Sequence, residues 1–219
     1  MKSVFDYAKY FMKKDLDNIP NTYDGNMKLQ KLLVFANLVS LAINDKPLFD
    51  APIYAFEYGC VIESIRVKYK EDYSSFHSES KLFDPDFTED ECTVLNTTAD
   101  IFGKLSAREL SELNHTFNFW NQSYKKSIKA YGFKDKELSV VSIESMKKEI
   151  CKIKKVLTAY NESQKNQMKR EIVNGIVFYI DPLLDVTDDI LNELEAFSWC
   201  ANDNAYSVYS DESAGLVIY

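Results

Sequence analysis

One segment constrains the fold of this chain more than any other. Between Asn26 and Asn44, the residues Leu29, Leu32, Leu33, Ala36, Val39 and Ile43 recur at helical spacing, which lines them along one side of an α-helix. A helix with so wide an apolar stripe needs other elements to cover it, so a helical domain is expected around it. Asp24 or Asn26 is the expected cap, because either side chain can accept the orphan amide protons of a first turn. The run Asn44-Asp45-Lys46-Pro47 ends the helix.

The neighbouring segments fit that reading. Residues 3–14 form a first helix with Val4, Tyr7, Ala8 and Phe11 on one side, and the turn-rich stretch 17–26 separates it from the second. Residues 53–58 alternate weakly and suggest a short strand or extended segment stopped by Gly59, with a helix over about 62–72. The polar stretch 74–87, with Asp84-Pro85, reads as a loop. Thr88 with Glu91, and Ser106 with Glu109, are capping boxes that open helices ending near Gly103 and Leu113. A long basic helix starts near Ser142, with Met146, Ile150, Ile153, Leu157 and Tyr160 as its apolar stripe. Its lysines read as a solvated face in so acidic a chain.

After residue 171 the texture changes. Ten acidic residues and no Lys or Arg lie between Glu171 and Tyr219, a net of −10 against +2 for the other 170 residues. Residues 172–180 read as strand, with Asn174-Gly175 a candidate hairpin or bulge. Thr187 caps a helix carrying Ile190, Leu191, Leu194 and Phe197, and the break Asn202–Asn204 follows. Residues 206–209 and 216–219 are two short strands joined by Ser210–Gly215. The expected architecture is mainly α, a helical domain over 1–160 with a short strand segment, plus a small acidic β-α-β-β (α+β) appendage over 171–219.

Several function classes lack support. The negative balance disfavours direct nucleic-acid binding, which needs a basic surface. No run approaches 18 apolar residues and the N-terminus lacks a signal-peptide core, so no membrane association and a cytoplasmic location are expected. Four scattered cysteines and two histidines make neither a metal site nor a disulfide framework, and no cofactor is expected. No phosphate-cradling glycine motif or nucleophile turn is present, and the paired acids Asp188-Asp189 have a simpler role at a helix start. His115 stands out within Leu113–Trp120. Its functional reading is a binding contact or base; its structural reading, which buried polar groups favour, ties the helix end to the next segment over Trp120.

Three ordered motifs suggest a family. Asn26–Ala36, with Leu29-Gln30-Lys31-Leu32-Leu33, the segment Lys46–Gly59, and Leu105–His115 followed by Trp120 resemble the Panacea domain of antitoxins. The helix after Ile143 resembles its closing helix, so the resemblance spans about residues 3–155. Cys60 stands where the family has proline, Phe56 where it has tryptophan and Val34 where it has tyrosine. Cys60 restores a backbone donor that proline lacks. The resemblance implies a mostly helical fold, no enzymatic activity, and an antitoxin that binds a cognate toxin or other target protein. In some members it implies delivery of the toxin to a bacterial protease, and it extends to phage-associated proteins.

Two binding readings follow. In the first, the helical domain is a platform and the acidic unit, with Phe178, Tyr179, Phe197, Trp199, Tyr206, Tyr209 and Tyr219, supplies specificity for a basic toxin. In the second, a phage or mobile-element protein inhibits a host defence nuclease or effector through an acidic, nucleic-acid-mimicking surface. The candidate partner-binding residues are Tyr58, Gly59, Asn114, His115, Trp120, Tyr179, Trp199, Tyr206 and Tyr209. No catalytic or metal-binding residue is expected.

Overall fold

The computed structural model describes residues 2–128, 134–165, 168–203, 205–211 and 215–219. The chain divides into two compact units, Met1–Lys154 and Lys155–Tyr219. The first is mainly helical with one short hairpin; the second is a small α+β unit.

The first unit is assembled around helix α2, Tyr23–Asn44. Helix α1, Val4–Lys13, opens with a capping box of Ser3 and Asp6 and buries Val4, Tyr7, Ala8 and Phe11, the side its spacing predicts. Strands β1, Tyr54–Phe56, and β2, Gly59–Val61, pair antiparallel with Phe56 opposite Gly59. Six helices follow: α3, Glu63–Glu71; α4, Tyr73–Leu82; α5, Glu89–Phe102; α6, Ala107–His115; α7, Asn118–Ser127; and α8, Ile143–Lys147. A 3-10 turn at Glu137–Ser139 precedes α8. Helix α9, Ile150–Lys165, starts in the first unit and crosses the boundary at Lys154.

Helix α2 is buried on every side. Leu29, Leu32, Leu33, Ala36 and Val39 are buried as their spacing requires, but so are Lys28, Gln30, Lys31, Asn37 and Ser40. Ile43, at the end of the stripe, is 45% exposed, because the covering elements do not reach the last turn. The cap is Thr22 rather than Asp24 or Asn26, and its hydroxyl accepts from the Gly25 amide at 3.0 Å. The preceding loop then folds across the first turn. A Cβ on Gly25 would lie 2.3 Å from the Ile19 carbonyl oxygen and 2.6 Å from that of Asp17, so only glycine fits there.

Both predicted capping boxes form, with Thr88 and Ser106 accepting from the amides of Glu91 and Glu109. Other expectations change. Gly59 does not stop a strand; it begins β2 at φ +97° and forms the hairpin corner. The polar stretch 74–87 contains α4, whose fully buried anchor Phe76 meets Phe5 of α1 edge-on at 6.1 Å. Lys9–Glu79 and Lys81–Asp15 pairs flank that contact. One large apolar residue per helix leaves no readable period, which is why the sequence suggests a loop. The long basic helix is two helices, α8 and α9, with Glu149 between them. Glu149 is 8% exposed, and its carboxylate accepts from the Phe119 amide at 2.8 Å, at the start of α7. Of the predicted stripe, Met146 and Ile153 are buried.

The second unit holds a sheet ordered β3-β4-β5-β6: Lys169–Val173, Ile176–Ile180, Ala205–Asp211 and Gly215–Ile218. Helix α10, Asp188–Ser198, connects β4 to β5, which pair in parallel; the other pairs are antiparallel. The order is β-β-α-β-β rather than β-α-β-β. Asn174 and Gly175, at φ +51° and +83°, make a two-residue turn, so of the readings open for residues 172–180 it is the hairpin that forms. Its first strand begins at Lys169-Arg170, so the unit is not free of bases. Thr187 caps α10 as expected. Asn204 of the predicted break and Glu212–Ala214 of the predicted turn lie outside the described residues. Phe178, Ile180, Leu194 and Val208 form the core of the unit.

Truncating the anchor of α4, Phe76→Ala, should lower stability by about 3 kcal/mol, read as a fall in urea midpoint with an unchanged slope.

Candidate functional site

Residues 46–62 contain only the short hairpin as regular structure, so most of their backbone groups need side-chain partners. Helix α2 supplies several. The Ser40 hydroxyl donates to the Lys46 carbonyl at 2.8 Å and the Asn37 Oδ1 accepts from the Leu48 amide at 2.8 Å. The Gln30 Oε1 accepts from the Ile62 amide at 2.9 Å, and the Lys31 ammonium donates to the Cys60 carbonyl at 2.9 Å. Helices α6 and α7 complete the set from the other side. Asn114 Oδ1 accepts from the Cys60 amide at 2.7 Å, the Ser111 hydroxyl donates to the Tyr58 carbonyl at 2.8 Å, and Trp120 Nε1 donates to the Phe56 carbonyl at 2.8 Å. The Cys60 amide, present because this position is not proline, is the donor that Asn114 receives.

Gly59 lies at the centre of this corner. A Cβ there would come 2.6 Å from Asn114 Oδ1 and 2.8 Å from Lys31 Nζ, in addition to the strain of φ +97°. Lys31 is 1% exposed, and among the described residues no carboxylate pairs with it. Desolvation lowers its pKa to about 8, opposed by Cys60. Burial in turn pushes the Cys60 thiol up to about 12. His115 packs on Trp120 with ring centroids 4.0 Å apart, and Trp120 stacks on Tyr124 at 5.3 Å. Desolvation and then the Lys31 charge lower the His115 pKa, while a backbone hydrogen bond at Glu57 raises it, so the ring is neutral at pH 7. Among the described residues, Asn114 Nδ2 and His115 Nε2 are buried without a hydrogen-bond partner.

Five of the expected partner contacts therefore share a corner with different roles. Gly59 and Asn114 are buried and hold the corner together; His115 and Trp120 are half-buried over it; Tyr58 alone is well exposed, at 57%. Lys31 and Gln30 are missing from the sequence-based set. The available signal was a polar pair, Gln30-Lys31, set inside an apolar helix between Leu29 and Leu32. Beside the corner, a pocket of about 340 Å³ opens between α2, the hairpin and α3.

In the second unit, strand alternation sorts the aromatics. Phe178 and Tyr206 stack at 6.1 Å, and Phe197 meets Tyr206 edge-on at 4.8 Å, all on the side facing α10. The Tyr206 hydroxyl accepts from the amides of Asn202 and Asp203, so this ring fastens the loop into the core rather than facing a partner. Tyr179, Tyr209 and Tyr219 fall on the opposite side of the sheet and are exposed, with Tyr209 and Tyr219 edge-to-face at 5.5 Å. Trp199, just past α10, is 78% exposed.

Among the described residues no cluster of His, Cys, Asp and Glu could hold a metal, and no helix is long and apolar enough to cross a membrane. The architecture is a largely helical domain whose helices clamp an irregular hairpin segment, and a small α+β unit that follows it in the chain. Residues 29–121, from within α2 into α7, match the family described as antitoxin SocA-like, Panacea domain. That stretch, somewhat under half of the chain, is similar to the Panacea domain of that antitoxin family. No curated protein and no solved structure gives a match.

Two outcomes follow from the corner. Gly59→Ala should destabilise the chain by at least ~2 kcal/mol, since the Cβ meets both strain and contact, measured by chemical denaturation. Lys31 has a folded-state pKa below its unfolded value of 10.5, so between about pH 8 and 10.5 the unfolded chain binds more protons and stability rises with pH. The Cys60 thiol acts in the opposite sense above pH 9.0. Comparing the wild type with Lys31→Met removes that contribution. The wild type should gain on the variant by on the order of 2–3 kcal/mol across the window, followed by denaturation at stepped pH.

Proposed function

We propose that this protein is an antitoxin that neutralises a cognate protein toxin by binding it directly and without catalysis, with the second unit supplying the contact surface. The Panacea match supports a protein partner. The observation that carries the rest is the open aromatic set of the second unit: Tyr179, Tyr209 and Tyr219 on the outer sheet face, with Trp199 nearby in sequence to β5. Rigid aromatic rings are favoured anchors at protein interfaces because they bury large area at low entropic cost. The ten acidic residues from Glu171 onward add a field that steers a basic partner, such as a toxin acting on RNA or nucleotides. Within this reading the Panacea unit is the platform. Presentation of the bound toxin to a protease is its natural extension, since a non-catalytic binder removes a toxin permanently only if degradation follows.

The test is co-expression with the product of the adjacent gene. Trp199→Ala and Tyr179→Ala should each weaken capture of that product at least about tenfold while leaving the melting temperature unchanged. Tyr206→Ala should instead lower stability. Neutralisation that survives both surface substitutions together, with capture at wild-type strength, sinks the reading.

A further inference from the structure

The pocket beside the Gly59 corner has a composition unlike the rest of this acidic chain. Its walls are apolar and aromatic, built from Met27, Phe56, Val61 and Tyr69, and its mouth is framed by Tyr23 and Tyr58. Those two rings meet edge-to-face at 6.3 Å and are 66% and 57% exposed. The charged residues lining it are Lys31, Arg66 and Lys70, with no acid among them.

The polar groups inside can be accounted for one by one. Gln30 spends its amide on the Asn26 side chain and its carbonyl on the Ile62 amide. Asn26 donates to the Arg66 carbonyl at 3.0 Å. Arg66 is held bidentate by Glu63, at 2.7 and 2.9 Å. Lys31 differs: it is buried, it has three donor hydrogens, and its only protein acceptor among the described residues is the Cys60 carbonyl. A buried ammonium without a carboxylate is costly unless something anionic completes it. The volume, about 340 Å³, is at the lower end of the range for small-ligand pockets.

We propose that this pocket binds a carboxylate carried on a flat apolar body, with the carboxylate on Lys31 and the apolar part between Tyr23, Tyr58 and Phe56. Lys31 is the buried cation of the lining, whereas Arg66 is already paired with Glu63 and Lys70 is exposed, so the interior matches a single negative charge. The same chemistry comes from two sources, a free aryl carboxylic acid or the C-terminal carboxylate of a peptide ending in an aromatic residue. The inference concerns the isolated chain and stands apart from the antitoxin reading.

Calorimetric titration of the full chain at pH 7 tests it with four probes: phenylacetate, phenylacetamide, acetyl-Gly-Val-Phe as free acid, and the same peptide amidated. At least one acid should bind one-to-one, and its amide at least about tenfold more weakly. Phenylacetate alone binding assigns a free small acid, and the free-acid peptide alone binding assigns a peptide terminus; either supports the site. Tyr58→Ala, a change at an exposed rim residue, should weaken the binding acid several-fold, and Lys31→Met should abolish it. No binding by either acid, amides binding as well as acids, or binding indifferent to Tyr58→Ala overturns the proposal. Because no toxin is present in these titrations, failure here is separable from failure of toxin capture.

Discussion

The structure of the first unit depends on how one irregular segment satisfies its backbone. Residues 46–62 pass between α2, α6 and α7, and their amides and carbonyls are bonded by Ser40, Asn37, Gln30, Lys31, Asn114, Ser111 and Trp120. Each buried backbone group left unpaired would cost about 1–3 kcal/mol, so this set of side chains fixes the hairpin as firmly as a sheet ladder would. It also explains why α2 buries polar residues all round: those side chains face a segment that needs hydrogen bonds, not an apolar surface.

The arrangement gives physical content to the Panacea match. Residues such as Gln30-Lys31, Asn114 and Trp120 act as a clamp on the hairpin, and Gly59 is the point where the clamp closes too tightly for a Cβ. A corner held this way is rigid and carries its exposed features, Tyr58 above all, in a fixed place. The second unit divides its labour differently. Its aromatics alternate along the strands, so Phe178 and Tyr206 build the core while Tyr179 and Tyr209 face outward.

Much of this was legible in the sequence because it depends on local rules. The capping boxes at Thr88 and Ser106, the stripe of α1 and the Thr187 cap each follow from residues within one turn of each other. The candidate corner was legible in part, through Asn114, His115 and Trp120. What was missed had no local signature. Helix α4 shows one buried aromatic in a polar run, and the break between α8 and α9 is made by Glu149 reaching the start of α7 from 30 residues away.

The sequence by itself determined the helical class, the apolar core of α2 and the acidic, aromatic character of the last 49 residues, since period, capping and charge are properties of neighbouring residues. Only the tertiary structure decided which polar residues are interior and which aromatics are surface. The burial of Lys31 depends on the hairpin's backbone carbonyl at Cys60, and the exposure of Tyr179 against the burial of Phe178 depends on which face of the sheet α10 covers. Those are pairings between distant segments, and no local pattern encodes them.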